Sequence, residues 1–404
     1  MSGLRGQVEA EARAAHVAVG ALTDDGVARA LARAAELIGE RHDAIAAANA
    51  ADVAAATSLD EGARDRLRLD DARIAALADQ LAQLAELPPL DRAEDAWTLE
   101  NGLRVETRRI PVGAVGANFE ARPNVAVDVA GQLLKSLNAA VLRTGGAALG
   151  TVTVLVDEVL RPALADAGLP AAAVGLVRSP DREGARILVS LPGVLPLVIL
   201  RGSGETTAAL AAEAAKHGVR TLAHAEGGGV LYLHDAADQA KAEALVEASL
   251  DRLGVCNRLN LLLAAREEQV PRALLEKLGI AVREGPRVGH EWANDPDPDK
   301  VASITVRAGL SLEEALALAN DETSGLAASI VTEDETAARR FLDGYRGTAG
   351  FWNASTRFTD GFALTGAPET GINVDRVPGP RGPVNYRDLW LRQFRVVGDG
   401  FEHR

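Results

Sequence analysis

Apolar residues recur at helical spacing over Val27–Arg41 and Asp60–Leu87, on an alanine-rich background. The spacing predicts a helical layer over residues 1–90, with one stripe facing a core. Asp24 and Asp25 are candidate N-caps for its first long helix, and Asn49-Ala50-Ala51-Asp52 reads as a break between helices. From Trp97 the period changes to two. Trp97–Arg108 flanks Asn101-Gly102 with alternating runs, the strongest short-range signal for a hairpin. The second run continues as a buried strand through Ala117.

Strand and helix then alternate. The pattern predicts a helix over Val125–Leu137 and a strand over Ala139–Leu142. A helix over Thr151–Ala167 is closed by Gly168 and Pro170. A strand over Val174–Val177, a helix near Arg182–Ser190, a strand over Val194–Leu200, a helix to His217 and a strand over Val219–Leu222 follow. Such alternation implies a parallel sheet with helices on its faces. Glu226-Gly227-Gly228-Gly229 interrupts it and reads as a domain crossing. Beyond lie a strand over Val230–Leu233, a helix over Ala236–Leu253, and a second α/β unit reaching about residue 365. That unit includes a helix over Leu312–Asn320, a strand over Ala327–Thr332 and a helix over Glu335–Tyr345. The tail Leu389–Val397 alternates like a strand. A two-stranded ribbon is marginal by itself, so the 97–110 hairpin is expected in a subunit interface, paired with a neighbour's tail.

Composition narrows the class. A chain of 404 residues exceeds one ordinary core, so two or three domains are expected. With 47% hydrophobic and 25% charged residues it reads as a soluble globular protein. Met1–Leu22 has no apolar core of a signal peptide, and no apolar run reaches membrane-spanning length. The single cysteine excludes an internal disulfide and a multi-thiolate metal site, which points to a reduced, cytoplasmic protein. A net charge of −14 argues against a nucleic-acid surface. An anionic substrate would need a local cluster of arginine or lysine.

The chemistry gathers around that cysteine, in Gly254-Val255-Cys256-Asn257-Arg258-Leu259-Asn260. A lone thiol more often fills a core than attacks a substrate. Here the setting is a glycine-containing loop next to amide donors and a cation, which favour thiolate over thiol. Two strand-to-helix turns contain glycine, Thr144-Gly145-Gly146 and Gly202-Ser203-Gly204. Dinucleotide phosphates bind at such turns, though neither is a GxGxxG and glycine also serves plain geometry there. His217, His224 and His234 do not converge on one face, so no metal is assigned.

Several motifs carry a resemblance. They are Ile110-Pro-Val-Gly-Ala-Val-Gly116, Glu120-Ala-Arg-Pro-Asn-Val-Ala-Val-Asp128, and Leu134-Lys135-Ser136 with Asn138. Val255-Cys256-Asn257 and Asn353-Ala-Ser-Thr-Arg-Phe-Thr-Asp-Gly361 complete the set. Together they resemble the γ-glutamyl phosphate reductases (glutamate-5-semialdehyde dehydrogenases), over about residues 25–404. Departures occur at Thr323–Ile330, which is closer to general aldehyde dehydrogenases, at Gly228-Gly229-Val230, and at Gly366–Asn373. The resemblance implies an aldehyde dehydrogenase-like α/β fold. It implies a Rossmann-type dinucleotide-binding domain over 1–226, with 97–110 as a small β oligomerisation arm. A catalytic domain over 227–366 carries Cys256, and a C-terminal segment over 367–404 returns to the cofactor domain and arm.

It also implies NADPH-dependent reduction of L-glutamyl 5-phosphate to L-glutamate 5-semialdehyde and phosphate, in proline biosynthesis. Cys256 is the implied nucleophile, forming a thioester. The Cys256 N–H and the Asn124 amide are the implied oxyanion donors. Without the resemblance, Asn124 reads as a turn residue bonding its own backbone. Arg143, Thr144, Gly145, Gly146, Gly202 and Ser203 are the expected cofactor contacts. The absence of an acid at 144–146 favours NADP(H) over NAD. Arg122, Arg357 and Ser355 lie in matching motifs and are the expected substrate contacts. Lys135 can be structural. A homo-oligomer and a functional link to glutamate 5-kinase are further implications.

Two alternatives stay open. One is a hydrolytic, NAD(P)-dependent aldehyde dehydrogenase acting on a small aldehyde, motivated by Glu226 and Ser324–Ile330, or a related acyl-phosphate reductase. The other is a catalytically silent scaffold for an upstream kinase, against which the retained cysteine and glycine turns count.

Overall fold

The computed structural model describes residues 3–59, 61–202, 204–224, 227–251, 255–284, 302–375 and 379–400. Ser203, Glu226 and Gly254 lie outside them. The chain divides into two compact units. One comprises Met1–Ala223, Ala367–Gly371 and Val384–Arg404, the other His224–Gly366 and Ile372–Pro383.

In the first unit, helices span Leu4–Ala18, Asp24–Glu40, His42–Ala55, Glu61–Leu67 and Asp71–Glu86. Val27, Ala30, Leu31, Ala34, Leu37 and Ile38 form the buried stripe of the second, as the spacing predicts. Three details differ from expectation. Thr23, not Asp24 or Asp25, is the N-cap; its Oγ1 accepts from the Gly26 N–H at 3.2 Å. The two aspartates occupy the first turn, where their charge suits the helix dipole.

The expected break at Asn49–Asp52 lies inside the helix His42–Ala55. Buried Asn49 donates to the Leu67 carbonyl at 2.9 Å and accepts from the Leu69 N–H at 2.7 Å. Asp52 accepts from the N–H and hydroxyl of Thr151, both at 2.7 Å. Distant partners thus satisfy side chains that otherwise compete with a helix. The third difference is that Asp60–Leu87 is two helices, because Asp70 caps the second by accepting from the Arg73 N–H at 2.8 Å.

The hairpin forms as β1 (Ala93–Thr98) and β2 (Arg104–Pro111), antiparallel, with Gly102 at φ +93° in the turn. Then come β3 (Ala114–Phe119), β4 (Ala139–Thr144), β5 (Val174–Leu176), β6 (Leu197–Arg201) and β7 (Arg220–His224). They form one five-stranded sheet in the order β5-β4-β3-β6-β7. β3 pairs in parallel with both β4 and β6. The chain order reverses between β3 and β6, the doubly wound arrangement whose crevice at the strands' carboxyl ends takes ligands. Helix Pro123–Lys135 follows β3 and packs close on helix Asp71–Glu86. A Cβ at Gly131 would lie 2.9 Å from Leu84 Cδ2. Buried Lys135 donates to the Ala85 carbonyl at 3.2 Å and to that of Leu87, closing the end of that helix. Its role is structural.

The second unit holds β8 (Gly229–Leu233), β9 (Leu259–Ala264), β10 (Ala281–Glu284), β11 (Ser303–Arg307), β12 (Ala327–Val331) and β13 (Ala349–Trp352). They form a six-stranded parallel sheet, β10-β11-β9-β8-β12-β13. The helix after β8 is Gln239–Ser249, shorter than expected. Helices Leu312–Asp321 and Glu335–Gly344 pack Leu312, Ala315, Ala338 and Phe341 onto one face. β14 (Gly371–Asn373) and β15 (Gly382–Val384) form a short ribbon.

β16 (Trp390–Val397) pairs antiparallel with β2 of the same chain, Leu391 opposite Ile110 and Phe394 opposite Thr107. The tail therefore covers its own hairpin, not a neighbour's. A tail entering from buried Leu389 on the same unit reaches that edge directly. The arm stays apolar on its surface: Trp97, Leu391, Phe394, Val396 and Val397 are exposed. Trp97 and Phe394 meet edge to face at 6.4 Å.

Candidate active site

In the first unit, candidate residues stand at the carboxyl ends of the strands. After β3 the chain turns through Glu120-Ala121-Arg122, with the Arg122 N–H donating to the Glu120 carbonyl at 2.7 Å. Pro123 opens the next helix, where its fixed φ and missing N–H cost nothing. Asn124 is thereby fixed in the first helical turn, and its Nδ2 donates to Asp128 Oδ2 at 3.3 Å. Burial and Glu369 push the Asp128 carboxyl up, Arg201 and the Asn124 bond pull it down, and it stands at about 7. Arg122 Nε lies 3.4 Å from Glu120 Oε2.

The turn after β4 is stitched to the one after β3. The Gly145 N–H donates to the Phe119 carbonyl at 3.0 Å, and Thr144 Oγ1 to that of Glu120 at 3.3 Å. A Cβ on Gly145 would lie 2.9 Å from the Ala121 nitrogen, and one on Gly146 2.9 Å from Pro180 Cβ. Loop packing therefore accounts for both glycines. Gly202 is different: among the described residues a Cβ there would meet Thr207 Oγ1 at 3.4 Å and Glu120 Cγ at 3.8 Å, ordinary contacts. It precedes helix Gly204–Lys216 across the switch point. The described side chains thus leave room at Gly202, two residues before the helix, for a dinucleotide phosphate to approach the backbone. Arg143 is buried. Its Nη1 donates to Asn118 Oδ1 at 3.3 Å, and its Nη2 to the carbonyls of Pro180 at 3.3 Å and Asp181 at 3.0 Å. Burial, with Arg182 nearby, lowers its pKa against the pull of Asp181.

In the second unit, Cys256 stands before β9, at the amino end of the sheet. It is part-buried against Leu326, Ala327 and Ile372. Its loop is clamped on two sides. On one, the Gly228 N–H donates to the Cys256 carbonyl at 2.6 Å and the Gly229 N–H to that of Arg258 at 2.7 Å. Gly228 has φ +111°, which only glycine adopts without strain. On the other side lies the 353–361 motif. Asn257 Nδ2 donates to the carbonyls of Arg357 and Thr359, both at 3.0 Å. Thr356 Oγ1 donates to the Asn257 carbonyl at 2.8 Å, and Arg357 Nη1 to Asn257 Oδ1.

Arg357 Nε is also held by Asp251 at 2.7 Å, and Ser355 Oγ lies 2.8 Å from Ser249 Oγ. Asn353 begins the motif at φ +51°, a conformation asparagine tolerates, and its amide closes two 3.0 Å bonds with the backbone of Thr332. Arg258, expected to favour the thiolate, is buried with Nη1 on the carbonyls of Ser303 at 3.3 Å and Leu259 at 3.5 Å. Ser324 Oγ donates to the Gly227 carbonyl at 2.9 Å, bracing the segment that departs from the family pattern. Of the histidines, His217 lies 3.1 Å from Glu213 and His234 2.9 Å from Thr332. The side chain of His224 lies outside the described residues.

Sequence reasoning assigns no role to Asp128, Arg201 or Glu369. The one signal for Asp128 is its i,i+4 spacing from Asn124.

The fold is that of the aldehyde dehydrogenase class. The profile of the aldehyde dehydrogenase family matches residues 6–304. The chain is 34% identical to γ-glutamyl phosphate reductase of Thermobifida fusca, over 98% of this chain and 97% of that one. It is 38% identical to the enzyme of that name from Clavibacter michiganensis subsp. michiganensis, over 89% and 86%. The crystal structure of γ-glutamyl phosphate reductase from Thermotoga maritima superposes with a TM-score of 0.90 at 29% identity, covering 98% of this chain and 100% of that one. The chain belongs to the γ-glutamyl phosphate reductase family, as its motifs indicated. An acetylating aldehyde dehydrogenase from Geobacillus thermoglucosidasius shares the fold, with a TM-score of 0.71 at 17% identity over 99% of this chain and 97% of that one.

Proposed function

We propose that the protein reduces L-glutamyl 5-phosphate to L-glutamate 5-semialdehyde and phosphate, with Cys256 as nucleophile and NADPH as reductant. The clamped Cys256 loop carries this reading: a nucleophile on a loop hydrogen-bonded on both sides loses little freedom on reaction. The relatives named for this reaction support the substrate.

The Cys256 thiolate attacks the γ-carbonyl and a C–S bond forms. The tetrahedral oxyanion collapses, the C–O bond to phosphate breaks, and a thioester remains on Cys256. The Cys256 N–H and the Asn124 amide serve as oxyanion donors. A bound reduced nicotinamide supplies the hydride. Cys256 then leaves as thiolate, releasing the aldehyde. Arg122 and the Nη2 of Arg357, whose Nε and Nη1 are held by Asp251 and Asn257, are the groups offered to the substrate's anions, and Ser355 braces the loop. Thr144, Gly145, Gly146 and Gly202 line the cofactor turns, with Ser203 completing the last. Arg143 and the lack of an acid at 144–146 favour NADP(H).

No helix among the described residues is long and apolar enough to cross a membrane. A cytoplasmic homo-oligomer built through the arm is part of the proposal, supported by the exposed Trp97, Phe394, Val396 and Val397. Glutamate 5-kinase would supply its substrate.

Oxidation of glutamate 5-semialdehyde with NADP, at varied inorganic phosphate, tests the reaction. Strict phosphate dependence is expected. Phosphate-independent turnover would replace this reading with a hydrolytic aldehyde dehydrogenase.

A further inference from the structure

Asn124 and Asp128 are four residues apart on helix Pro123–Lys135, so their side chains share one face. Asn124 Nδ2 donates to Asp128 Oδ2 at 3.3 Å. The other oxygen, Oδ1, is buried and has no hydrogen-bond partner among the described residues. A buried carboxyl with a single donor is costly. Helix packing does not require it, since the neighbouring Val125, Val127 and Val129 are buried and apolar. The charged groups whose fields reach it are Arg201 at the end of β6 and Glu369 in the 367–371 segment. Neither is its hydrogen-bond donor.

An asparagine amide presents an acceptor at one end and two N–H donors at the other, and only its partners decide which end faces where. An ionised carboxylate can only accept. It therefore selects the orientation in which Nδ2 faces Asp128. One N–H is used there. The second N–H on the same nitrogen stays available to another acceptor, and flipping the amide would set its oxygen against a carboxylate.

We propose that Asp128 is a positioning residue: its carboxylate locks the Asn124 amide in the orientation that presents an N–H to the oxyanion. The proposal rests on the reading of Asn124 as an oxyanion donor. Asp128 acts through that amide and not on the reacting atoms. Because its carboxyl stands at about 7, the lock weakens as pH falls through that value, when a charged acceptor becomes a neutral one.

The test uses the full-length enzyme and the steady-state kinetics of Asn124→Ala, Asp128→Ala, the double variant and Asp128→Asn. Asp128→Ala is expected to lower kcat by about 10–100-fold, the range for loss of a residue that orients a functional group, with KM within about twofold. The double variant should be no slower than Asn124→Ala alone. Asp128→Asn offers a neutral amide that can accept or donate, so it should hold kcat at the lowered level of the protonated wild type and remove the fall in kcat expected of the wild type below about pH 7.

A loss from Asp128→Ala that multiplies onto that of Asn124→Ala would overturn the proposal and leave Asp128 a structural residue. So would normal kcat in both Asp128 variants when Asn124→Ala is impaired; the oxyanion role of Asn124 would then stand. Normal kcat in Asn124→Ala would overturn both.

Discussion

The two parallel sheets carry their candidate chemistry at opposite ends. In the first unit Asn124, Thr144 and Gly202 stand at or just beyond the carboxyl ends of β3, β4 and β6, where doubly wound sheets take ligands. In the second, Cys256 and Gly228 precede β9 and β8, and Ser324 precedes β12, all at the amino ends. The residues are also held differently. Cys256 is fixed through its loop, by the backbone N–H groups of Gly228 and Gly229 on one side and by the side chains of Asn257 and Thr356 on the other, whereas the Asn124 side chain is fixed by one carboxylate. A nucleophile that must not move is built into the backbone. A donor that must only be aimed is held by a single titratable partner.

Substitutions can break this contrast. Cys256→Ser should have the largest effect, lowering turnover by about four orders of magnitude or more, because a hydroxyl without a positioned base is a poor nucleophile. Dinucleotide binding followed by fluorescence should be nearly unchanged. Asn124→Ala should lower kcat by roughly 10²–10³-fold with little change in KM, the cost of one oxyanion donor. A fall in melting temperature with kcat preserved would instead make Asn124 a structural turn residue.

Asn257→Ala removes the bonds to Arg357 and Thr359 and should cost both kcat, by about 10²-fold, and stability, by about 1–3 kcal/mol. Normal kcat in the folded fraction would mean that the clamp does not position Cys256. Arg143→Ala should raise the KM for NADPH by about 10-fold more than that for NADH, the worth of a hydrogen bond to a charged group. Equal changes would show that Arg143 does not read a 2′-phosphate.

The smallest effect concerns stability. The Asp128 carboxyl is raised from 3.8 to about 7 in the folded protein. Ionising it therefore costs folding free energy as pH rises from the unfolded value, and the cost is complete above about 7. Asp128→Asn should raise Tm by a few degrees at pH 8 and not at all near pH 4. A gain that persists at pH 4 would mean that charge is not its cause.

Much of this was legible in the sequence. Period-two runs around Asn101-Gly102 gave the hairpin, and the alternation of strands and helices gave the first sheet and, of the second, β8 and β12. The first sheet's turns follow a rule that sequence reasoning can apply. The amino-end placement of Cys256 follows no such rule; its loop setting and the family motif pointed to the residue, not to its end of the sheet. Asn49 and Asp52 misled because their partners, Leu67, Leu69 and Thr151, are brought to them by tertiary packing. Asp128 stayed silent because a carboxylate in a helix reads as a solvated face until its burial is known.

The most direct test of the covalent account is to trap the acyl-enzyme. Glutamyl phosphate is generated in situ by phosphorylating glutamate, without reduced nucleotide, and the intact protein mass is measured. The account predicts one glutamyl group per chain on the wild type, equivalent release of phosphate, and no adduct on Cys256→Ser. An unmodified wild type that still turns over once NADPH is added, or an adduct that survives Cys256→Ser, would contradict it.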